Sequence, residues 1–209
     1  AEKGNTFAMS LYADKLFYGE GIEENKREAV RWYKKAADLE HTYSIYCYAF
    51  CLYHGSGIEK DIKESVRLMK IAADKGNENA MNFYGFALKE GYGVSADIIT
   101  ALRYIKKSAD RGWADAMLAY GHALRDGDGV PVNKKEAERF YKMAADKDNV
   151  EAMFNYGVLL HNNNQSPSRD KEAVRYLKMA ADKDHDIAMF NYAVLLYNGW
   201  GAPVNKKEA

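Results

Sequence analysis

The stretch "GDGVPVNKK", Gly127 to Lys135, decides how the rest of the chain is read. Two glycines one residue apart, then lysines and a helical pattern, have the makings of a phosphate cradle, because backbone N–H groups at a helix start attract anions. Related stretches stand at Gly19 (GEGIEENKR), Gly55 (GSGIEKDIK), Gly91 (GYGVSADII) and Gly199 (GWGAPVNKK). Their starts, 19, 55, 91, 127 and 199, differ by multiples of 36. The missing member, at 163, reads NNQSPSRDK, the same frame without its glycines. Five nucleotide loops in 209 residues are implausible chemistry. Five joints of a repeat array are not, since a period of about 20–50 residues marks a solenoid.

Working outward, several columns recur every 36 residues. Tyr12, Tyr48, Tyr84, Tyr120, Tyr156 and Tyr192 form one, and Leu16, Leu52, Leu88, Leu124, Leu160 and Leu196 another four residues on. Between them stand Ala13, Ala49, Gly85, Gly121, Gly157 and Ala193. Ala8, Ser44, Ala80, Ala116, Ala152 and Ala188 precede them. Apolar residues at i, i+4 and i+8, with small ones at points of close approach, predict an amphipathic first helix. The first joint glycine ends it, because a left-handed C′ position favours glycine. Asn25-x-x-Glu28, Asp61-x-x-Glu64, Asn133-x-x-Glu136 and Asn205-x-x-Glu208 predict capping boxes opening a second helix. Pro131, Pro167 and Pro203 are expected to stiffen the loop before it. The second helix offers Trp32-Tyr33, Leu68-Met69, Tyr104-Ile105, Phe140-Tyr141 and Tyr176-Leu177 as buried pairs, and closes on Ala-Ala-Asp or Ser-Ala-Asp.

These patterns, "AMxxYGxxLxxGxGV" and then "NKKEAxxxYxxAAD", resemble the Sel1-like repeat, a relative of the tetratricopeptide repeat. The resemblance runs through essentially all 209 residues. It implies an all-α, right-handed α-solenoid of 36-residue helix-turn-helix units, one array with repeats at about 5–40, 41–76, 77–112, 113–148 and 149–184 and a partial unit at 185–209. It also implies adaptor or scaffold work in protein complexes, such as quality-control and signalling assemblies, with the first helices lining a concave groove. Repeat five departs at Asn163, Gln165 and Ser166, so its joint is expected to be looser.

Composition agrees with a binding module. Thirty basic residues balance thirty acidic ones, leaving no global attraction for nucleic acid or acidic membrane. Apolar residues are too interrupted for a membrane-spanning run, and no leader peptide is expected among the opening residues. "AEKGN" at the start resembles "AADKGN" at Ala72 to Asn77, so the chain is expected to be a segment of a longer array. The lysine column Lys34, Lys70, Lys106, Lys142 and Lys178 is expected to snorkel over the convex surface rather than form a nucleic-acid track.

Two enzyme readings compete with the scaffold. Cys47, Cys51 and His54 share one helical stripe, with His41 upstream, and thiolate plus imidazole would suit zinc. Yet Cys51 fills a column held elsewhere by Ala87, Ala123, Leu159 and Leu195, a packed position where a free cysteine is ordinary. The two thiols, about 5–6 Å apart at Cβ on one face, are too far apart for the usual disulfide. Ser168 and Lys171 fit a Ser-x-x-Lys hydrolase signature, but neither Ser-Asp-Asn nor Lys-Thr-Gly accompanies them, and Asp170-Lys171-Glu172 reads as a polar first turn. The scaffold reading is preferred, and it calls for no cofactor.

Partner recognition should then lie off the repeated ladder, on the opposite side of the first helices. Repeat one offers Phe7, Phe17 and Tyr18 there, and repeat two offers Tyr43, Tyr46, Phe50, Tyr53 and His54. Repeats three and four are more polar, with Phe86, Lys89, His122 and Arg125. Repeats five and six carry Phe154, His161, Phe190 and Tyr197, an apolar end that also offers a self-association surface. Exposed aromatic patches usually mark interfaces, and Tyr-rich centres are common hot spots. A protein or peptide partner is expected, with no nucleic acid and no membrane insertion. About half of these side chains are expected to touch the next repeat. Tyr46 and Phe50 are placed with the solvent-facing half, opposite Tyr48.

Overall fold

A computed structural model describes residues 5–162 and 166–203. The opening residues 1–4, the joint residues Asn163 and Gln165 and the cap expected at Asn205 lie outside the described residues. Among those described the chain forms eleven α-helices. The first helices of successive repeats are α1 (Thr6–Tyr18), α3 (Thr42–His54), α5 (Glu78–Glu90), α7 (Ala114–Asp126), α9 (Val150–Asn162) and α11 (Asp186–Asn198). The second helices are α2 (Lys26–Asp38), α4 (Ile62–Asp74), α6 (Ile98–Asp110), α8 (Lys134–Ala145) and α10 (Pro167–Ala181). Where periodicity drew one array, contacts divide the chain into two compact units, Ala1–Arg111 and Gly112–Ala209. Within each unit every helix packs on the next.

The joints answer the question raised by the glycines. Gly19, Gly55, Gly91, Gly127 and Gly199 are left-handed caps with φ between 70° and 78°. The Gly127 N–H, for example, donates back to the Ala123 carbonyl at 2.9 Å. The second glycine does something else. A methyl on Gly57 would stand 2.4 Å from the Lys26 carbonyl oxygen, at the start of the preceding repeat's α2. Gly93 approaches Ile62 of α4 and Gly201 approaches Asp170 of α10 in the same way. So one glycine turns the chain and the other seats the joint on its predecessor.

Second helices begin as the sequence predicts, by a different arrangement of bonds. The side chains of Asn25, Asp61 and Asn133 accept from the backbone N–H groups of Glu28, Glu64 and Glu136 at 3.0, 2.9 and 3.0 Å. Asp97, which the Glu-based pattern missed, accepts from Thr100 at 3.0 Å. The reciprocal half of a capping box has no donor left to use. The cap N–H of Asn25, Asp61, Asp97 and Asn133 already donates to the carbonyl of Leu16, Leu52, Leu88 and Leu124, at 2.8, 3.0, 2.9 and 2.7 Å. Glu28 and Glu64 instead reach forward to Arg31 and Arg67. The leucine column therefore closes the first four hairpins through its backbone as well as its side chain.

Repeat five departs from this scheme. Its second helix starts earlier, with Pro167 as its first residue rather than in the preceding loop, and Ser166 as its cap. Proline suits that position because its missing N–H would have had no helical partner. The Leu160 carbonyl is taken by the Arg169 side chain at 3.5 Å, and the same guanidinium pairs with Glu138 at 2.9 Å. Arg169 thus satisfies from its side chain the carbonyl that a cap N–H satisfies elsewhere.

The core lies between paired helices. A methyl on Gly85, Gly121 or Gly157 would come within 2.6, 2.7 or 2.8 Å of Ile105, Tyr141 or Leu177, so the small column does mark close approach. Tyrosines of the first helix meet the second helix edge to face: Tyr84 on Tyr104 at 4.9 Å, Tyr120 on Phe140 at 5.0 Å and Tyr156 on Tyr176 at 4.8 Å. Such pairs add about 0.5–1.5 kcal/mol beyond burial. The lysine column does not snorkel alone. Lys34, Lys70, Lys106, Lys142 and Lys178 each pair with the aspartate four residues on, at 2.6 to 2.9 Å. These exposed pairs contribute about 0.3–0.5 kcal/mol each.

Candidate partner-binding surface

In unit 1 the off-ladder residues of α1 and α3 form one aromatic cluster. Tyr43 lies 6.4 Å from Tyr46, Tyr46 lies 6.2 Å from Phe50, and Phe50 lies 4.3 Å from His54, ring to ring. Phe17 contacts Tyr18 and Tyr33, while Tyr53 meets Phe83 of α5 edge-on at 4.7 Å. Phe7, Tyr18, Tyr43 and Phe86 are exposed. Tyr46 and Phe50 are not. They are half-buried and pack against the core cluster around Ile45, Ala49 and Met81, which corrects their assignment to solvent. A two-residue step does turn a side chain to the other face of its helix, but α5 lies against that face.

The cluster surrounds a recess of about 70 Å³ lined by Phe17, Tyr18, Tyr33, Tyr43, Tyr46, Cys47, Phe50 and Cys51. Beside it the hydroxyls of Tyr33 and Tyr43 both donate to Asp14 Oδ1, at 2.6 and 3.2 Å. Burial, together with the neighbouring carboxylate and thiol, pushes both phenols up, so both remain neutral donors. Burial pushes the Cys47 and Cys51 thiols up to about 12. A thiol with that pKa is a poor metal ligand and a poor nucleophile at neutral pH. Among the described residues no three His, Cys, Asp or Glu side chains are placed to hold a metal ion. His54 instead turns its ring to Phe50 and Tyr53.

Unit 2 places its candidates differently. His122 pairs through Nδ1 with the Tyr141 hydroxyl at 2.9 Å, and Arg125 pairs with Asp126 at 2.7 Å. A cavity of about 280 Å³ opens beside them, lined by Arg125, Lys134, Tyr141, Asn155, Val158, Leu159 and Asn162. Phe154 stacks on His185 at 4.8 Å. His161 bonds Asp170 at 2.8 Å beneath Trp200, whose ring lies 4.9 Å away. Asp170 does stand in the first turn of α10, but it is buried there and bonded to His161 instead of solvated. Periodicity could not have shown this, since the helix that contains it starts out of frame. Ser168 is exposed, 3.2 Å from Ser166 Oγ, and Lys171 is exposed in the next turn. Phe190 and Tyr197 of α11 are exposed. Lys89 is also exposed, on α5 of unit 1.

Among the described residues, paired helices joined in most repeats by glycine turns, with variable residues off the ladder, define an α-helical repeat fold. The Sel1 repeat model matches residues 6–41, 43–77, 79–113, 114–149, 150–185 and 186–209, and the chain belongs to that family. Its members typically act as protein-interaction scaffolds, and the fold is generally a non-enzymatic one. The chain is 26% identical to a protective antigen of uropathogenic Escherichia coli that displays an SLR fold, with a TM-score of 0.90 over 99% of this chain and 44% of that one. It is also 26% identical to a Sel1 repeat protein from Oxalobacter formigenes, with a TM-score of 0.87 over 98% of this chain and 84% of the other. An immunity protein from Pseudomonas aeruginosa shares the fold at 16% identity and a TM-score of 0.59, covering 100% of this chain and 78% of its own. The chain thus spans less than half the length of the E. coli antigen. No curated protein matches the chain in sequence. No helix among the described residues is long and apolar enough to cross a membrane.

Proposed function

We propose that the chain is a non-catalytic adaptor that holds a partner peptide or helix against the off-ladder faces of its first helices. One observation carries this reading: the aromatic surface of unit 1, where Phe7, Tyr18, Tyr43 and Phe86 face solvent while Tyr46 and Phe50 are packed against the core. An outward helix face is normally polar. Large aromatic rings held rigidly at such a face bury much area at little entropic cost when a partner arrives. Self-association through the exposed α11 residues Ile187, Phe190 and Tyr197 is the other interaction that this surface pattern supports.

The test is affinity capture with mass spectrometry, comparing the wild-type chain with a Phe7→Ala/Tyr18→Ala/Phe86→Ala variant. These side chains are exposed, so the melt should move little. Partner affinity should fall by about 2 kcal/mol or more if they are hot spots. An unchanged set of captured proteins and unchanged affinity would sink the reading.

A further inference from the structure

We infer that the aromatic recess of unit 1 is a socket for the ammonium group of a partner's lysine side chain. The inference rests on the adaptor reading above and names the chemistry of its anchor.

Three observations converge on a cation. The first is the wall. Five rings from α1 and α3 (Phe17, Tyr18, Tyr43, Tyr46 and Phe50) and Tyr33 from α2 line a space of about 70 Å³. That is room for an ammonium and its last methylene. Aromatic faces carry negative charge and attract ammonium groups placed over them. Exposed Tyr18 and Tyr43 stand at the mouth, so the space is open to solvent.

The second is Asp14. It is half-buried beside the recess, and both of its hydroxyl donors, Tyr33 and Tyr43, bond the same oxygen, Oδ1. Among the described residues no lysine or arginine pairs with it, and Oδ2 accepts no hydrogen bond. Oδ2 is left facing solvent beside the recess, free to accept a charge-assisted hydrogen bond from an incoming ammonium. Glu20 acts on Tyr18 alongside Asp14, and Lys26 is already paired with Glu24 at 3.3 Å.

The third is that one ring of the wall already lies beside an ammonium group. Lys26 Nζ lies 5.6 Å from the centre of the Phe17 ring. The thiols of Cys47 and Cys51 do not compete for the cation as thiolates, because burial holds them protonated. Unit 2 has no such arrangement at its own cavity, where Arg125 and Lys134 supply positive charge.

The test uses two small probes on the whole chain. Nα-acetyl-lysine N-methylamide carries the ammonium, and the norleucine analogue keeps the alkyl stem without it. Ring proton and carbon shifts of Tyr18, Tyr43 and Phe50 are followed by NMR during each titration. The lysine probe should shift them saturably at millimolar concentration, with the norleucine probe weaker by about tenfold or more. Asp14→Asn, which retains an acceptor for both tyrosine hydroxyls, should weaken the lysine probe to the norleucine level. Equal binding of the two probes, no saturable shift with lysine, or full lysine binding by Asp14→Asn would each overturn the inference. The two-probe comparison in the wild-type chain needs no variant to fold. If the socket fails while affinity capture still depends on Phe7, Tyr18 and Phe86, the adaptor reading stands and only its anchor is wrong.

Discussion

Repeats two and six carry large side chains in the same columns and hold them differently. Tyr46 and Phe190 are four repeats apart in register, yet Tyr46 is half-buried against the core while Phe190 is 69% exposed. Tyr53 meets Phe83 of the following first helix, whereas Tyr197, its counterpart, is 58% exposed. The same contrast appears in the joints. Gly21 and Gly57 have φ of 75° and 74°, but a methyl on Gly57 would collide with the preceding repeat and one on Gly21 would meet nothing within 4 Å. A column assigns a residue to a side of its helix. The neighbouring repeat decides whether that side is core.

The largest difference is expected at the joint glycines. Gly57→Ala should cost about 2–5 kcal/mol, combining left-handed strain with a backbone collision. Gly21→Ala should cost only the strain, about 1–2 kcal/mol. Urea melts of the two variants should therefore differ clearly. Equal losses would mean that the second glycine is a turn residue and no more.

Next come the aromatics. Tyr46→Ala should cost about 1.5–3 kcal/mol, because a half-buried ring loses apolar contact and leaves space. Phe190→Ala should stay within about 0.5 kcal/mol. Thermal melts in which both variants behave alike would show that repeat two is no better packed than repeat six.

A smaller effect extends the comparison to repeats four and five. Asn133→Ala removes a cap bond of 3.0 Å and should cost about 0.5–2 kcal/mol. Ser166→Ala removes one of 3.4 Å and should fall at the low end of the same range, about 0.5 kcal/mol. A larger loss for Ser166→Ala would show that the early start of α10 is held by its cap and not by Arg169 and Asp170.

The smallest effect at neutral pH is a titration. Cys47 and Cys51 have thiols raised to about 12 when folded, above their ordinary value of about 9. The unfolded chain therefore loses these protons first as pH rises, and stability that is complete below the ordinary thiol value falls between the two values. Melting temperature should decline with pH above about 9, less so in Cys51→Ala. At pH 8 the native thiols should react slowly with a thiol reagent and rapidly once unfolded. Fast native labelling would show that burial does not hold the thiols protonated.

Much of this molecule is legible in its residues. The 36-residue period, the helix ends at Gly55 and Gly127 and the caps at Asn25, Asp61 and Asn133 follow from local chemistry: positive φ, an orphan N–H to satisfy, and a 3.6-residue repeat of apolar side chains. The capping boxes were half legible, because the leucine carbonyl that occupies the cap N–H lies nine residues upstream, outside any cap motif. The aromatic content of the candidate surface could be read off the columns. The packing of Tyr46 and Phe50 could not.

What the sequence by itself determined is everything that one repeat can specify: two helices, the turn between them and the side of each that meets the other. The tertiary structure alone decided which off-ladder residues became core, that Asp170 lies under His161, and that Asp14 receives two tyrosine hydroxyls, one from α2 and one from α3. The physical reason is that burial and electrostatic pairing depend on the helix that arrives from the next repeat. A pattern repeated identically along the chain carries no information about which side chains of the next helix meet each face.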